Sequence, residues 1–333
     1  MTEKSAESNY VLIIGSSNMD LNIYSKRLPN PGETVTGGTF QQSLGGKGAN
    51  QAVASVRAGT DTTFIGKIGK DNFGNQMVRQ LSTEGINTDH IIRTSDDHSG
   101  VAFILIDEKG ENMISVAPGA NATLNSNEIK RFKEIIKNAS SIVVQMEIPM
   151  ETIISIFKIA AEGTAIKILN PAPLKPIPKE LFRNLDLIIP NEGELLRLHS
   201  LLGFNGERAQ TDLTSKGIIQ LSKDIAKLGT RYIITTLGSK GCVVYDNEDG
   251  RALSVPSFEV KAVDTVGAGD CFNGVLASQI SKGKKIIEAV QIATCAASIA
   301  VTRKGAQASM PEQSEIMERV KKYKTLYHTT SIT

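Results

Sequence analysis

DTVGAGDCFNG, Asp264 to Gly274, sets a carboxylate one residue into a helix whose first amides come from small residues. Gly267, Ala268 and Gly269 can turn consecutive backbone N–H groups toward one point, and the helix continuing through CFNGVLASQI adds its positive end there. An anion is expected at that point. Asp270 then stands where a carboxylate can take a proton from a hydroxyl while the amides hold the charge of a phosphoryl group in flight. The other reading of the same residues is a Gly-rich turn whose Asp only caps a helix.

Working outward, YVLIIG (Tyr10 to Gly15) reads as a buried strand, and similar strands recur in TTFIG at 62 to 66, SIVVQM at 141 to 146, AIKILN at 165 to 170, LDLIIP at 185 to 190 and RYIITTLG at 231 to 238. Amphipathic stretches at 73 to 85, 127 to 139 and 150 to 163 lie between them as helices. Such alternation predicts an α/β fold with a mostly parallel sheet covered by helices on both faces. The rhythm breaks near 21 to 40 and 101 to 116, where the chain is extended without an intervening helix and EKGEN makes a hairpin turn. These pieces predict a small antiparallel sheet apart from the main one, a candidate lid. The Pro-rich NPAPLKPIPKE at 170 to 180 is a loop and not a linker, because the alternation continues on both sides. One domain over 10 to 325 is expected, preceded by a polar tail at 1 to 9.

The 333 residues carry 37 basic and 35 acidic side chains, well mixed, so there is no electrostatic footprint for nucleic acid or an anionic membrane. A small-molecule partner is expected. Cys242, Cys271 and Cys295 have no metal-ligand spacing and lie in apolar surroundings, which predicts buried, reduced thiols. The N-terminus lacks an apolar targeting segment, so a cytoplasmic protein is expected, or also a nuclear one in a eukaryotic cell. The Asn-x-Ser/Thr triplets at Asn121 and Asn138 are then chance matches, and the four histidines show no pairing with a nucleophile.

A second glycine-rich motif, LGGKGANQA from Leu44 to Ala52, is no Walker A loop, because Lys47 is followed by Gly48 and no hydroxyl is placed for magnesium. Gly45 and Gly46 let backbone amides approach a polar ligand and supply a hinge, and Asn50 points an amide from the first helical turn. Asn18 and Asp20 follow the first strand at its carboxyl end, where open α/β sheets bind ligands, and Glu147 follows SIVVQM into the same crevice. Asn18 and Asp20 are equally readable as turn residues. Asn191 and Glu194 can face one side of a helix and suit a magnesium ion that keeps its waters; a plain N-terminal capping box explains them as well. TTLGSKG, Thr235 to Gly241, ends a strand with small residues and could border an adenine nucleotide.

Taken together, Asn18 and Asp20, GGKGANQA at 45 to 52, Asn191 with Glu194, DTVGAGDCFNG, and VTRKGAQAS at 301 to 309 resemble the ribokinase branch of the pfkB-type sugar kinases, in order from about Val11 to Met310. The resemblance implies a doubly wound α/β core with a small β-sheet lid that also forms a homodimer contact. It implies transfer of the γ-phosphoryl group of ATP to the 5-hydroxyl of D-ribose. Asp270 would be the base, and the amides of Gly267, Ala268 and Gly269 the anion hole. Asn18, Asp20, Gly45, Gly46, Lys47, Asn50 and Glu147 would line the ribose site. ATP would meet Asn191, Gly269 and the segment Thr236, Leu237, Gly238, Ser239, Lys240 and Gly241, with Glu194 acting on Mg2+ through water. Thr294 stands where some relatives place His or Asn near the adenine. Activation by K+ is implied through Asp264, Val266, Ala300, Arg303, Gly305 and Ser309. A deoxyribokinase or a related pentose or nucleoside kinase is the near alternative; a sugar or nucleotide sensor on a kinase fold is the non-enzymatic one. Asn18 favours ribose, and an intact Asp270 disfavours a sensor. The segment 200 to 217 is longer than the resemblance accounts for.

Overall fold

The structure is a computed structural model that describes residues 9–204 and 214–323, and the backbone of 330–332. Residues 205–213 of the long segment at 200 to 217, and the tail at 1 to 8, lie outside the described residues. In chain order the strands are β1 (Val11–Ile14), β2 (Asn18–Tyr24), β3 (Thr39–Gly45), β4 (Thr62–Ile65), β5 (Lys67–Gly69), β6 (Ile92–Thr94), β7 (Gly100–Ile106), β8 (Asn112–Ala117), β9 (Ser141–Gln145), β10 (Ile166–Asn170), β11 (Leu187–Ile188), β12 (Tyr232–Thr236), β13 (Cys242–Asp246), β14 (Arg251–Val255) and β15 (Thr330–Ile332).

β1 is apolar at all four positions because both of its faces are covered. Leu12 and Ile14 join one core layer with Val144, Phe157 and Leu195, while Val11 and Ile13 join another with Val53, Val275 and Ala293. Among the described residues the main sheet runs β15-β14-β13-β12-β11-β10-β9-β1-β4. Its pairs from β4 to β12 are parallel, and those from β12 to β15 are antiparallel. The connections reverse direction at β1, which lies between β4 and β9. The carboxyl ends of β1 and β9 therefore flank the crevice in which such sheets bind ligands.

The second sheet, β3-β2-β7-β8, is mixed and not antiparallel as expected. Its hairpins, β2 with β3 and β7 with β8, are antiparallel, but β2 and β7 pair in parallel from Asn18 with Gly100 to Tyr24 with Ile106. Two separate excursions leave the core side by side in the same direction, and each returns on its own hairpin. Two smaller differences have local causes. The helix expected at 127 to 139 splits into Ser126–Lys130, started by a capping box on Asn125 and Glu128, and Lys133–Asn138. LDLIIP pairs only over Leu187–Ile188. All three cysteines are buried thiols without a disulfide, and burial pushes Cys242 up to about 12. No helix among the described residues is long and apolar enough to cross a membrane.

The inner end of the second sheet packs on the core through Met19, Ile68 and Met77, with Leu21 and Leu44 against them. Its outer end does not. Register puts Ile23, Phe40, Phe103 and Met113 on one face, and these are 38 to 59% exposed; Ile114 and Val116 are exposed on the opposite face. That is more apolar surface than a thin sheet ordinarily shows to water.

Candidate active site

Asp270 is the third residue of the helix Ala268–Ser281, one position further in than expected, and it is buried. Gly267 caps the helix at φ 76, a left-handed conformation that Gly adopts without strain, and that turn aims the first amides out of the helix end. One amide of the expected trio is partly engaged, because the Ala268 N–H donates to the Thr265 carbonyl at 3.3 Å. At Gly269 an added Cβ would meet nothing within 4 Å, which leaves open space over the helix end.

Both carboxylate oxygens of Asp270 are held from the facing helix Lys47–Arg57. Asn50 Nδ2 donates to Oδ2 at 2.9 Å, and Gln51 Nε2 donates to Oδ1 at 2.9 Å. The buried Asn50 Oδ1 has no hydrogen-bond partner, although burying an amide oxygen unpaired costs about 1–3 kcal/mol. An acceptor kept this way beside a carboxylate suits a ligand hydroxyl. Asn273 follows on the next turn; its Nδ2 donates to Gly269 O at 2.8 Å, and its Oδ1 is likewise without a partner.

The chain leaving β1 supplies the opposite wall. Ser16 Oγ and, at 3.0 Å, Lys47 N–H donate to Glu147 Oε2, which ties the ends of β1 and β9 to the start of the helix Lys47–Arg57. Asp20 is pushed up to about 7, first by burial and then by the charge of Glu147. Gly45 makes room for it, since a Cβ there would stand 2.1 Å from Asp20 Oδ2. Asp270, Glu147 and Glu194 together hold the half-buried Lys47 ammonium above its usual range, against the opposing effect of burial. These three carboxylates and Lys47 therefore converge electrostatically on one cleft. Asn18 Oδ1 accepts from Asn121 Nδ2 at 2.8 Å, and the Asn121 amide also bridges the Ser17 backbone, so the amide nitrogen is the group Asn18 has to offer. Asn121, Ser16 and Gln51 belong to the site without a distinctive local signal: Asn121 sits only in an Asn-x-Thr triplet, and Gln51 stands inside GGKGANQA beside Asn50.

Asn191 and Glu194 form the capping box left open as one of two readings. Each side chain takes the other's backbone N–H at 2.8 Å, and burial holds the Glu194 carboxyl above its usual range. Asn191 also bridges Thr236 at the end of β12, which brings the two expected nucleotide motifs together. Beyond it, the turn Gly238–Lys240 is exposed, and a Cβ at Gly238 would meet nothing within 4 Å. Thr294 is buried, and its hydroxyl donates to Val290 O within its own helix at 2.9 Å.

Of the six residues expected around K+, Asp264 and Val266 lie on one loop and Arg303, Gly305 and Ser309 on the segment that follows the helix Ile286–Ala300, whose last residue is Ala300, and Asp264 joins the two segments. Its Oδ1 accepts from Val266 N–H at 3.0 Å, and its Oδ2 accepts from Gly305 N–H at 2.9 Å. Ser309 Oγ donates to Ala306 O at 2.8 Å, and the Arg303 guanidinium turns to Glu315, so Arg303 brings only its backbone to the pair of loops. Gly267 packs on Ala306, with 3.0 Å between an added Cβ and Ala306 Cα, which couples these loops to the anion-binding turn. A separate hollow of about 440 Å³ lies at the opposite, amino end of the parallel strands, lined by Tyr10, Asp61, Thr62 and His90, and shares no residue with this cleft.

A mostly parallel α/β sheet, a β-sheet flap, and a carboxylate under a helix N-terminus define a phosphoryl-transfer kinase. The family model for pfkB family carbohydrate kinases matches residues 8–313, and the chain belongs to that family. Within it the similarity is to ribokinases. The ribokinase of Staphylococcus aureus is 35% identical over 311 residues, covering 93% of this chain and 99% of its own length. A bifunctional ribokinase/ribose-5-phosphate isomerase A from Fructilactobacillus sanfranciscensis is 38% identical over 92% of this chain, and the chain spans 55% of that longer protein. The structure of Arabidopsis thaliana ribokinase complexed with ribose and ATP superposes with a TM-score of 0.86 at 31% identity, covering 94% of this chain and 98% of that one.

Proposed function

We infer that the chain transfers the γ-phosphoryl group of ATP to the 5-hydroxyl of D-ribose. The observation that carries this reading is the Asp270 carboxylate, fixed by Asn50 and Gln51 under a helix N-terminus, with the unpartnered Asn50 Oδ1 beside it. Asp270 takes the proton of the attacking hydroxyl, and the amides of the Gly267–Gly269 turn meet the phosphoryl oxygens. Asn18, Asp20, Asn50, Lys47 and Glu147 hold the sugar hydroxyls, and the second sheet excludes water from them. Asn191 and the exposed 236–241 turn bound the nucleotide side. Glu194 faces the same cleft with a buried carboxyl, a fitting outer partner for hydrated Mg2+, which supplies charge neutralisation of the ATP phosphates when bound. The loops that Asp264 ties together through the Val266 and Gly305 N–H groups fit K+ held by backbone carbonyls, which would order the anion-binding turn that packs on Ala306.

The test is ADP release with ribose, deoxyribose, fructose and adenosine in K+ buffer, repeated in Na+. Ribose is expected to exceed deoxyribose in kcat/KM by at least about tenfold, because the deoxy sugar leaves a buried polar group of the site unpaired. Activity is expected to fall in Na+ at fixed ionic strength. Equal use of deoxyribose rejects the ribose assignment, and indifference to the cation rejects the potassium site.

The exposed apolar residues at the outer end of the second sheet are best covered by the same sheet of a second copy, giving a homodimer. Sedimentation at micromolar concentration is expected to show a dimer, and Phe40→Ser with Phe103→Ser to shift it toward monomer. A fully active monomer in the unmodified protein would count against this contact.

A further inference from the structure

We propose that Gln51, Gln145 and Asn170 form a directed chain of amides that positions the Asp270 carboxylate from the carboxyl ends of the sheet strands. The inference rests on Asp270 acting as the base. Gln51 Nε2 donates to Asp270 Oδ1 at 2.9 Å and to Asn170 Oδ1 at 3.1 Å, and Gln51 Oε1 accepts from Gln145 Nε2 at 2.7 Å. Asn170 Nδ2 in turn donates to Ile189 O at 3.1 Å. Both amide hydrogens of Gln51 and its oxygen are thereby used, and a flipped amide would turn oxygen against a carboxylate. Gln145 and Asn170 are the terminal residues of β9 and β10 and are register partners, so the two amides that steer Gln51 stand on a rigid part of the sheet.

Gly15, at the end of β1, completes the arrangement. An added Cβ there would lie 2.0 Å from Gln145 Oε1, so the bare backbone is what lets the Gln145 amide lie flat against it. That oxygen is buried and has no hydrogen-bond partner, which leaves the Gln145 amide held by its donation to Gln51. Gln145 donates to Gln51 and Gln51 to the base, while Asn170 takes the second N–H of Gln51 and is itself anchored on Ile189 O. Asp270 belongs to a different element from this sheet edge, and two carboxylate oxygens fixed by two independent donors leave it one rotamer from which to meet a hydroxyl.

Gln51→Met removes the N–H donors at nearly constant volume. Turnover with ribose is expected to fall about tenfold while the ribose KM stays within about threefold, since Gln51 is not among the groups assigned to the sugar. Gln145→Met, one step further from the base, is expected to lower turnover by about threefold, again with the ribose KM unchanged. A folded Gln51→Met enzyme with unchanged kcat, or with its loss confined to KM, overturns the proposal. If Gln51→Met does not fold, Gln145→Met decides, and unchanged turnover there overturns it. Asp270→Asn, run in parallel, separates the two ideas. Loss of turnover there with none in the glutamine variants sinks the amide chain alone, whereas retained turnover in Asp270→Asn sinks the base itself.

Discussion

Asp270→Asn is expected to lower kcat by at least about a hundredfold and to leave the ribose KM within a few-fold, because it removes proton acceptance without changing the shape of the site. The geometry sharpens the expectation. Asn50 Nδ2 and Gln51 Nε2 both donate to this side chain, and an amide at 270 can accept from only one of them with its single oxygen. The second donor then faces an NH2 group, so some melting temperature is lost as well, though the fold of the helix is retained. Steady-state ADP release gives both kinetic constants. Turnover within about threefold of the parent enzyme would remove Asp270 from the chemistry.

Gly46→Ala is expected to be the most damaging single methyl in the sugar half of the site. Gly46 holds φ 89 at the start of the helix Lys47–Arg57, and a Cβ there would come within 2.7 Å of Ser17 Cα and 2.8 Å of Asn18 N. Those are backbone atoms at the start of β2 and cannot rotate away. Strained dihedrals and overlap together should cost roughly 2–4 kcal/mol, and because the displaced strand carries Asn18, the ribose KM should rise at least about tenfold. Gly32→Ala is the matched control, with φ 80 but nothing within 4 Å of the added Cβ. Thermal unfolding and ribose titration of both variants check the point, and equal losses at the two positions would show that dihedral strain alone is responsible.

The parts of the site that could be read from the sequence are those whose chemistry is local. Asp270 announces itself because its glycines and its helix are its immediate neighbours, and Asn50 because it follows paired glycines. Contacts made across the chain leave no such trace. Gln51 meets Asp270 at a separation of 219 residues and Gln145 at 94, and no periodicity encodes either. The same limit explains the second sheet: each hairpin is antiparallel in its own turn, whereas the parallel pairing of β2 with β7 is decided by where two excursions leave the core. Asn191 and Glu194 were legible as a pair but not as to role, since the spacing that suits hydrated magnesium is also that of a capping box. The hydrogen bond of Thr294 was not legible, because a hydroxyl bonded to its own helix looks in sequence like one pointing to a ligand.

The packing of the helix Lys47–Arg57 on Ala268–Ser281 also bears on how the chain is made. Gly274 leaves no side chain where a Cβ would press within 2.3 Å of Gln51 O, so the two helices approach backbone to backbone along the stretch that carries Asn50 and Gln51. On the ribosome the first helix is complete more than 200 residues before its cover emerges. Until then Gln51 and Ala54, which meet Gly274 in the finished fold, have no partner on that side. The sugar half of the cleft therefore cannot mature in the order it is synthesised, and a chain broken off before Ala268 is an unfinished core requiring protection from aggregation and not a smaller sugar-binding protein.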